Sequence, residues 1–154
     1  MTRNILTKAR CDDMTQLTLA IAKSITEAAF EHAQKSGMNP LTIAVLDAGG
    51  HLVCLQRSDN SSVLRPQIAI SKAATALALG SSSRKVGDLA AERPAFFEAL
   101  GQMSQHVLTP VAGGVIMEDS EGHAIGTIGV TGDTSDNDEE CAIVGIRSAG
   151  LVPR

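Results

Sequence analysis

Arg65 and Lys72 are the residues whose spacing first suggests chemistry. A helix expected over Pro66 to Leu79 sets them seven positions apart, about 20° from each other on a wheel of 3.6 residues per turn. The same face carries Ile68, Ala69, Ala76 and Leu79. Arg65 also stands at the N-terminal end of that helix, where the dipole disfavours a cation. Two cations on an apolar face call for an anion. Either a ligand carboxylate or propionate supplies it, assisted by the free N–H groups of the helix end, or internal pairs with Asp47, Asp59 or Asp88 do.

The histidines are scattered. His32 falls in the apolar stripe Leu17, Ile21, Ile25, Ala28 of the first expected helix. It reads as a metal or haem ligand, as an acid or base, or as a structural residue near a helix end. His51 opens a strand, His106 sits in a loop and His123 in a hairpin, and no pair has the spacing of a helical zinc motif. If the protein is an enzyme, Asp47, His51 and Lys72 are the candidates for moving protons.

Gly126, Gly129 and Gly132 lie between apolar residues, and Asp133, Asp136, Asp138, Glu139 and Glu140 follow. That order argues against a phosphate loop, because acids at the next helix start would repel phosphate while capping the helix. The glycines mark instead a close approach by a ligand or a neighbouring subunit. The aspartates lack the spacing of a calcium loop, so capping is the better reading. Cys54 and Cys141 stand in apolar runs and read as core packing. With Cys11 they are odd in number and far apart, which fits a reducing compartment.

The elements that must position these residues can be read from period and punctuation. A helix runs from Thr15 to a stop at Gly37 and Pro40. Leu41–Asp47 and His51–Arg57 make two strands around Ala48-Gly-Gly50. After the Arg65/Lys72 helix, Gly80 is the stop. Ser81 to Arg93 holds one short helix and Pro94 to Met103 a second. Val115–Met117 and Ala124–Thr131 form another hairpin, and Cys141–Ala149 the last helix. Strands paired as hairpins with helices between them predict an α+β fold with an antiparallel sheet. At 154 residues one domain is expected, over 15–150, after an arm at 1–14. The tail 151–154, Leu-Val-Pro-Arg, reads as either a thrombin-cleavage scar or native sequence.

Composition narrows the partners. There are three Phe, no Tyr and no Trp, yet 44% of residues are apolar, so the core must be aliphatic. No aromatic cage or base-stacking platform can be built from that set. With a formal net charge of −4 and no basic stripe, no nucleic acid is expected as a partner. No apolar run reaches membrane-spanning or signal-peptide length, so no membrane and a cytoplasmic location are expected.

Several motifs occur in a recognisable order: Leu46-Asp-Ala-Gly-Gly-His-Leu-Val53, Arg57-x-Asp59, Leu64-Arg-Pro-x-Ile-Ala-x-x-Lys-Ala73, Arg93-Pro94, Gly113-Gly-Val115 and Ile125-Gly-x-Ile-Gly-Val-x-Gly-Asp-x-Ser-Asp-x-Asp-Glu139. Together they resemble the GlcG/HbpS family, which includes the C-terminal domain of PduO-type proteins. The resemblance implies a profilin- or PAS-like α/β sandwich, with an antiparallel sheet of about five strands flanked by helices. It also implies homodimers to homo-octamers and a pocket that in some members takes haem. Other members sit among genes for glycolate, diol or aromatic-acid breakdown. By position, the implied pocket draws on Asp47, Arg65, Lys72, Arg93, Gly114, Gly129 and Asp133. For a haem iron, His32 is the local candidate, with Thr109 or Thr131 as stand-ins. The leading expectation is a small-ligand-binding protein that takes haem or a related tetrapyrrole. The alternatives are a cofactor-independent lyase or isomerase acting on a small organic acid, and a purely structural assembly partner.

Overall fold

The computed structural model describes residues 16–154, so the expected arm at 1–14 and Cys11 lie outside the described residues. Helix α1 spans Leu19–Lys35; Thr18 caps it, its hydroxyl accepting from the Ile21 amide. Its buried stripe is Ala22, Ile25, Ala29 and Ala33. Past its C-terminus, Gly37 adopts a φ of 65°, and the Met38 amide donates to the Ala33 carbonyl.

Strands β1 (Thr42–Asp47) and β2 (Leu52–Arg57) form the first hairpin, β3 (Gly114–Glu118) and β4 (Ala124–Thr131) the second. The hairpins join through β1 and β4, and the five-stranded sheet runs β2-β1-β4-β3-β5 with every pairing antiparallel. The fifth strand, β5 (Val152–Pro153), comes from the tail that the sequence reading set apart. It pairs with β3, Leu151 is buried, and the Arg154 amide donates to the Ile116 carbonyl.

Helices α2 (Arg65–Leu79), α3 (Ser83–Glu92) and α4 (Pro94–Met103) lie between the hairpins, and α5 (Ser135–Ser148) follows β4. The acidic stretch expected to precede the last helix forms its first turns. Thr134 is the cap, and Asp136 and Asp138 occupy the end where negative charge is favoured. The sheet alternates as a period of two requires. Ile43, Val45, Ile128 and Val130 face α1 and α5 in the main core, while Leu46 packs with Ala73 and Ala74 of α2 on the other side.

The core is aliphatic, as the composition demands: its largest fully buried side chains are Ile, Leu, Val, Met and Thr. Phe30 is only partly buried, and α4, which carries Phe96 and Phe97, buries no residue. No described helix is long and apolar enough to cross a membrane.

Candidate functional site

The sequence-predicted residues do not converge on one place. Arg65 and Lys72 do lie together, at the end of the sheet where β4 turns into α5. Lys72 is 3% exposed, and its ammonium donates to the Asp138 carboxylate at 2.8 Å and to the Val130 carbonyl at 3.0 Å. Its partner is therefore Asp138, and not Asp47, Asp59 or Asp88. Burial pushes Lys72 below the ordinary lysine range, against the pull of the Asp138 charge, and pushes Asp138 above the ordinary carboxylate range, against Lys72. Enclosed and paired in this way, Lys72 has no surface to offer a ligand.

Arg65, the first residue of α2, is half-buried, and its guanidinium donates to the Thr131 hydroxyl at 2.7 Å. Among the described residues it pairs with no carboxylate. Asp138, the carboxylate on which its charge acts, is taken, and so are the other acids at the start of α5. Asp138 holds Lys72, and its other oxygen accepts from the Asp133 amide. Glu139 and Asp136 both accept from Arg84, with Glu139 2.6 Å from its Nε. Asp133 accepts from the Asn39 and Thr134 amides and from Asn137 Nδ2, which holds its carboxyl at about 2. Arg65 is the cation left over, and its charge also acts on both members of the buried pair.

Gly129 and Gly114 are not open to a ligand. They face each other in the β3–β4 register, and helix α2 lies directly on them. A Cβ on Gly129 would overlap the Ala69 carbonyl, and one on Gly114 the Lys72 carbonyl. The close approach foreseen from these glycines is made by the protein's own helix. Asp133 is likewise occupied, by the Thr134 amide, the Asn137 side chain and the Asn39 amide from the α1–β1 connection. Arg93 is exposed at the α3–α4 junction, its guanidinium 4.2 Å from the centroid of the Phe96 ring.

His32 lies on α1, on the opposite side of the sheet from α2, with Nε2 3.1 Å from Glu140 of α5. Thr131 is fully buried and bonded to Arg65, and Thr109 shares a hydrogen bond with Ser71 while its amide donates to Thr75. Cys141 is buried beside Met38, and desolvation, together with nearby carboxylates, pushes its thiol up to about 12, so it is an unreactive core residue.

Asp47 and His51 form a contact that has a twin. Asp47 Oδ1 accepts from the Gly49 and His51 amides, both at 2.9 Å, and faces His51 Nδ1 at 3.2 Å. Asp119 accepts from the Glu121 and His123 amides, both at 2.9 Å, and faces His123 Nδ1 at 3.2 Å. Gly50 and Gly122 share a φ of 84°. The backbone bond from the histidine lowers each aspartate first and most. The recurrence shows that the Asp–His contact belongs to the turn, which closes both hairpins at one end of the sheet. Among the described residues no group of three or more potential metal ligands occurs.

Sequence reasoning named Asp138 only among the capping acids and Thr131 only as a stand-in iron ligand, and missed their pairing with Lys72 and Arg65. A signal for Asp138 was present: with Cys141, Ala142 and Gly145 it makes an i, i+3, i+4, i+7 face, so an acid stands in an apolar stripe and needs a cation. Nothing local marks Thr131.

An open antiparallel sheet of five strands with helices on both faces makes this a mixed α+β domain. A family described as haem-degrading protein HbpS-like matches residues 17–147, and the chain belongs to that HbpS-like family. It is similar to protein GlcG of Escherichia coli K12, at 36% identity over 117 residues, covering 75% of this chain and 81% of that protein. It is similar to the crystal structure of HbpS, with a TM-score of 0.75 and 28% identity over 90% of this chain and 96% of that one. It shares its fold with the crystal structure of a PduOC–haem complex, with a TM-score of 0.78 and 23% identity over 89% of this chain and 97% of that one.

Proposed function

We propose that this chain is a small-ligand-binding protein that takes a carboxylate-bearing molecule at Arg65. The ligand class favoured is haem or a related tetrapyrrole, on the strength of the names of its relatives. One observation carries the site: Arg65 is held by the Thr131 hydroxyl, stands at the start of α2, and the carboxylate on which its charge acts, Asp138, is already paired with Lys72. A ligand carboxylate meets there a preoriented guanidinium. Of the first turn of α2 only the Gln67 amide adds to it, since the Arg65 amide donates to the Ser62 carbonyl, the Ile68 amide to the Leu64 carbonyl, and Pro66 has no N–H.

Haem fits these residues only in its carboxylate half. Within one chain His32 is separated from Arg65 by the sheet, Thr131 is enclosed and Thr109 is bonded to Ser71. Of the iron-ligand candidates only Thr131 lies at the cation, and it is fully buried and already bonded to it. Assembly as a homodimer up to a homo-octamer, and a cytoplasmic location, complete the reading. The alternative, a lyase or isomerase acting on a small organic acid, draws on Asp47 and His51. A similar contact recurs in the other hairpin turn at Asp119 and His123, so it does not favour that alternative.

Titration with hemin, and with protoporphyrin IX as its iron-free counterpart, tests the proposal. Saturable binding of both is expected, and Arg65→Ala should weaken each by on the order of tenfold or more, the worth of a charged hydrogen bond. Equal affinities in wild type and Arg65→Ala would remove Arg65 from the site.

A further inference from the structure

Lys72 cannot touch a ligand, yet it stands beside the cation that the proposed function uses. We infer that Lys72 is a positioning residue that sets anion affinity at Arg65 by holding Asp138 away from it. This rests on the reading of Arg65 as the carboxylate site.

The start of α5 brings acids to one end of the sheet, and three cations meet them. Arg84 takes Glu139 and Asp136, and Lys72 takes Asp138 at 2.8 Å. Asp133 is filled by amides, and its own N–H donates to Asp138 Oδ1 at 3.0 Å. Both Asp138 oxygens thus have donors, and none of them is Arg65. The guanidinium turns to the neutral Thr131 hydroxyl and keeps its full charge for an incoming anion.

The pair also fixes the strand end that carries Thr131. The Lys72 ammonium donates to the Val130 carbonyl, one residue before it, and Asp138 holds the Asp133 amide, two residues after it. Removing the Lys72 charge leaves a buried carboxylate on which the Arg65 charge already acts, and an uncompensated buried charge recruits whatever neutralises it. The anion site would then be filled from within.

The test is a cycle with protoporphyrin IX as the probe, read by fluorescence, in wild type, Lys72→Gln, Lys72→Gln with Asp138→Asn, and Arg65→Ala. Lys72→Gln is expected to weaken binding by about tenfold, because Asp138 competes for the guanidinium. The double variant, which has no carboxylate to compete, should return to within about threefold of wild type, a recovery that only coupled residues show. A role for Lys72 in packing alone predicts that the double variant binds no better than the single one, and that result overturns the inference. Should Lys72→Gln not fold, the double variant decides by itself. Binding near wild type supports the inference, and a loss as large as that of Arg65→Ala overturns it. If Arg65→Ala binds as wild type does, the reading of the Arg65 site fails first, and the failure is distinguishable from that of Lys72.

Discussion

Lys72 of α2 and Asp138 of α5, 66 positions apart in sequence, meet at 2.8 Å with side chains 4% and 2% exposed. The contact ties the helix on one face of the sheet to the helix on the other, around the end of β4.

Breaking this pair from one side should be costly. Lys72→Met leaves Asp138 buried and uncompensated, and the expected loss is about 3 to 5 kcal/mol of unfolding free energy. Lys72→Met combined with Asp138→Leu should recover most of it, because two apolar groups of similar volume need no solvation. Urea denaturation of the three proteins measures both steps. A double variant as unstable as the single one would show that the ion pair is not the source of the loss.

The glycines under α2 make a second prediction. Gly129→Ala drives a methyl into the Ala69 carbonyl, where the obstacle is helix backbone and cannot rotate away. The sheet and α2 must separate, so this variant should lose cooperative unfolding or several kcal/mol, as overpacked cores do at roughly 1 to 3 kcal/mol or more. Gly101→Ala is the opposite case, since it lies in α4 with nothing within 4 Å of the added methyl. Helix propensity alone then applies, and a gain of up to about 1 kcal/mol is expected. Thermal unfolding by circular dichroism separates the two.

Asp133 predicts an acid limb. Its folded value of about 2 lies below the model-peptide value of 3.8, because the Asn39 and Thr134 amides and Asn137 hold the charged form. A depressed carboxylate contributes stability that is complete above its unfolded value and is lost as pH falls through its folded value. Asp133→Asn should therefore be less stable than wild type at about pH 6 and should converge with it towards about pH 2. Denaturation midpoints across that window check the sign; a difference that grows on acidification would contradict it.

Much of this molecule was legible before the chain was folded. The two hairpins follow from β-branched runs around Gly50 and Gly122, and α2 from its apolar period and the stop at Gly80, which adopts a φ of 62°. The helix starts were harder. Thr134 caps α5 ahead of an acidic run that resembles a loop, and the apolar period begins only at Cys141. The strand at Val152–Pro153 carries no period at all in two residues; only the free edge of β3 makes it a strand.

What the sequence determined by itself is whatever depends on neighbours along the chain: turn residues, helical and strand period, an aliphatic core in a chain with three Phe, and the family motifs. Tertiary structure decided the joining of the hairpins through β1 and β4, the seating of α2 on Gly114 and Gly129, and the choice of Asp138 as the partner of Lys72. It also decided that Arg65, of two cations sharing a helix face, is the one without a carboxylate among the described residues. The reason is physical. Backbone preferences act over a few residues and leave a local pattern, whereas the worth of a charge depends on which groups share its desolvated volume. That is set only when helices from distant parts of the chain close over the end of the sheet.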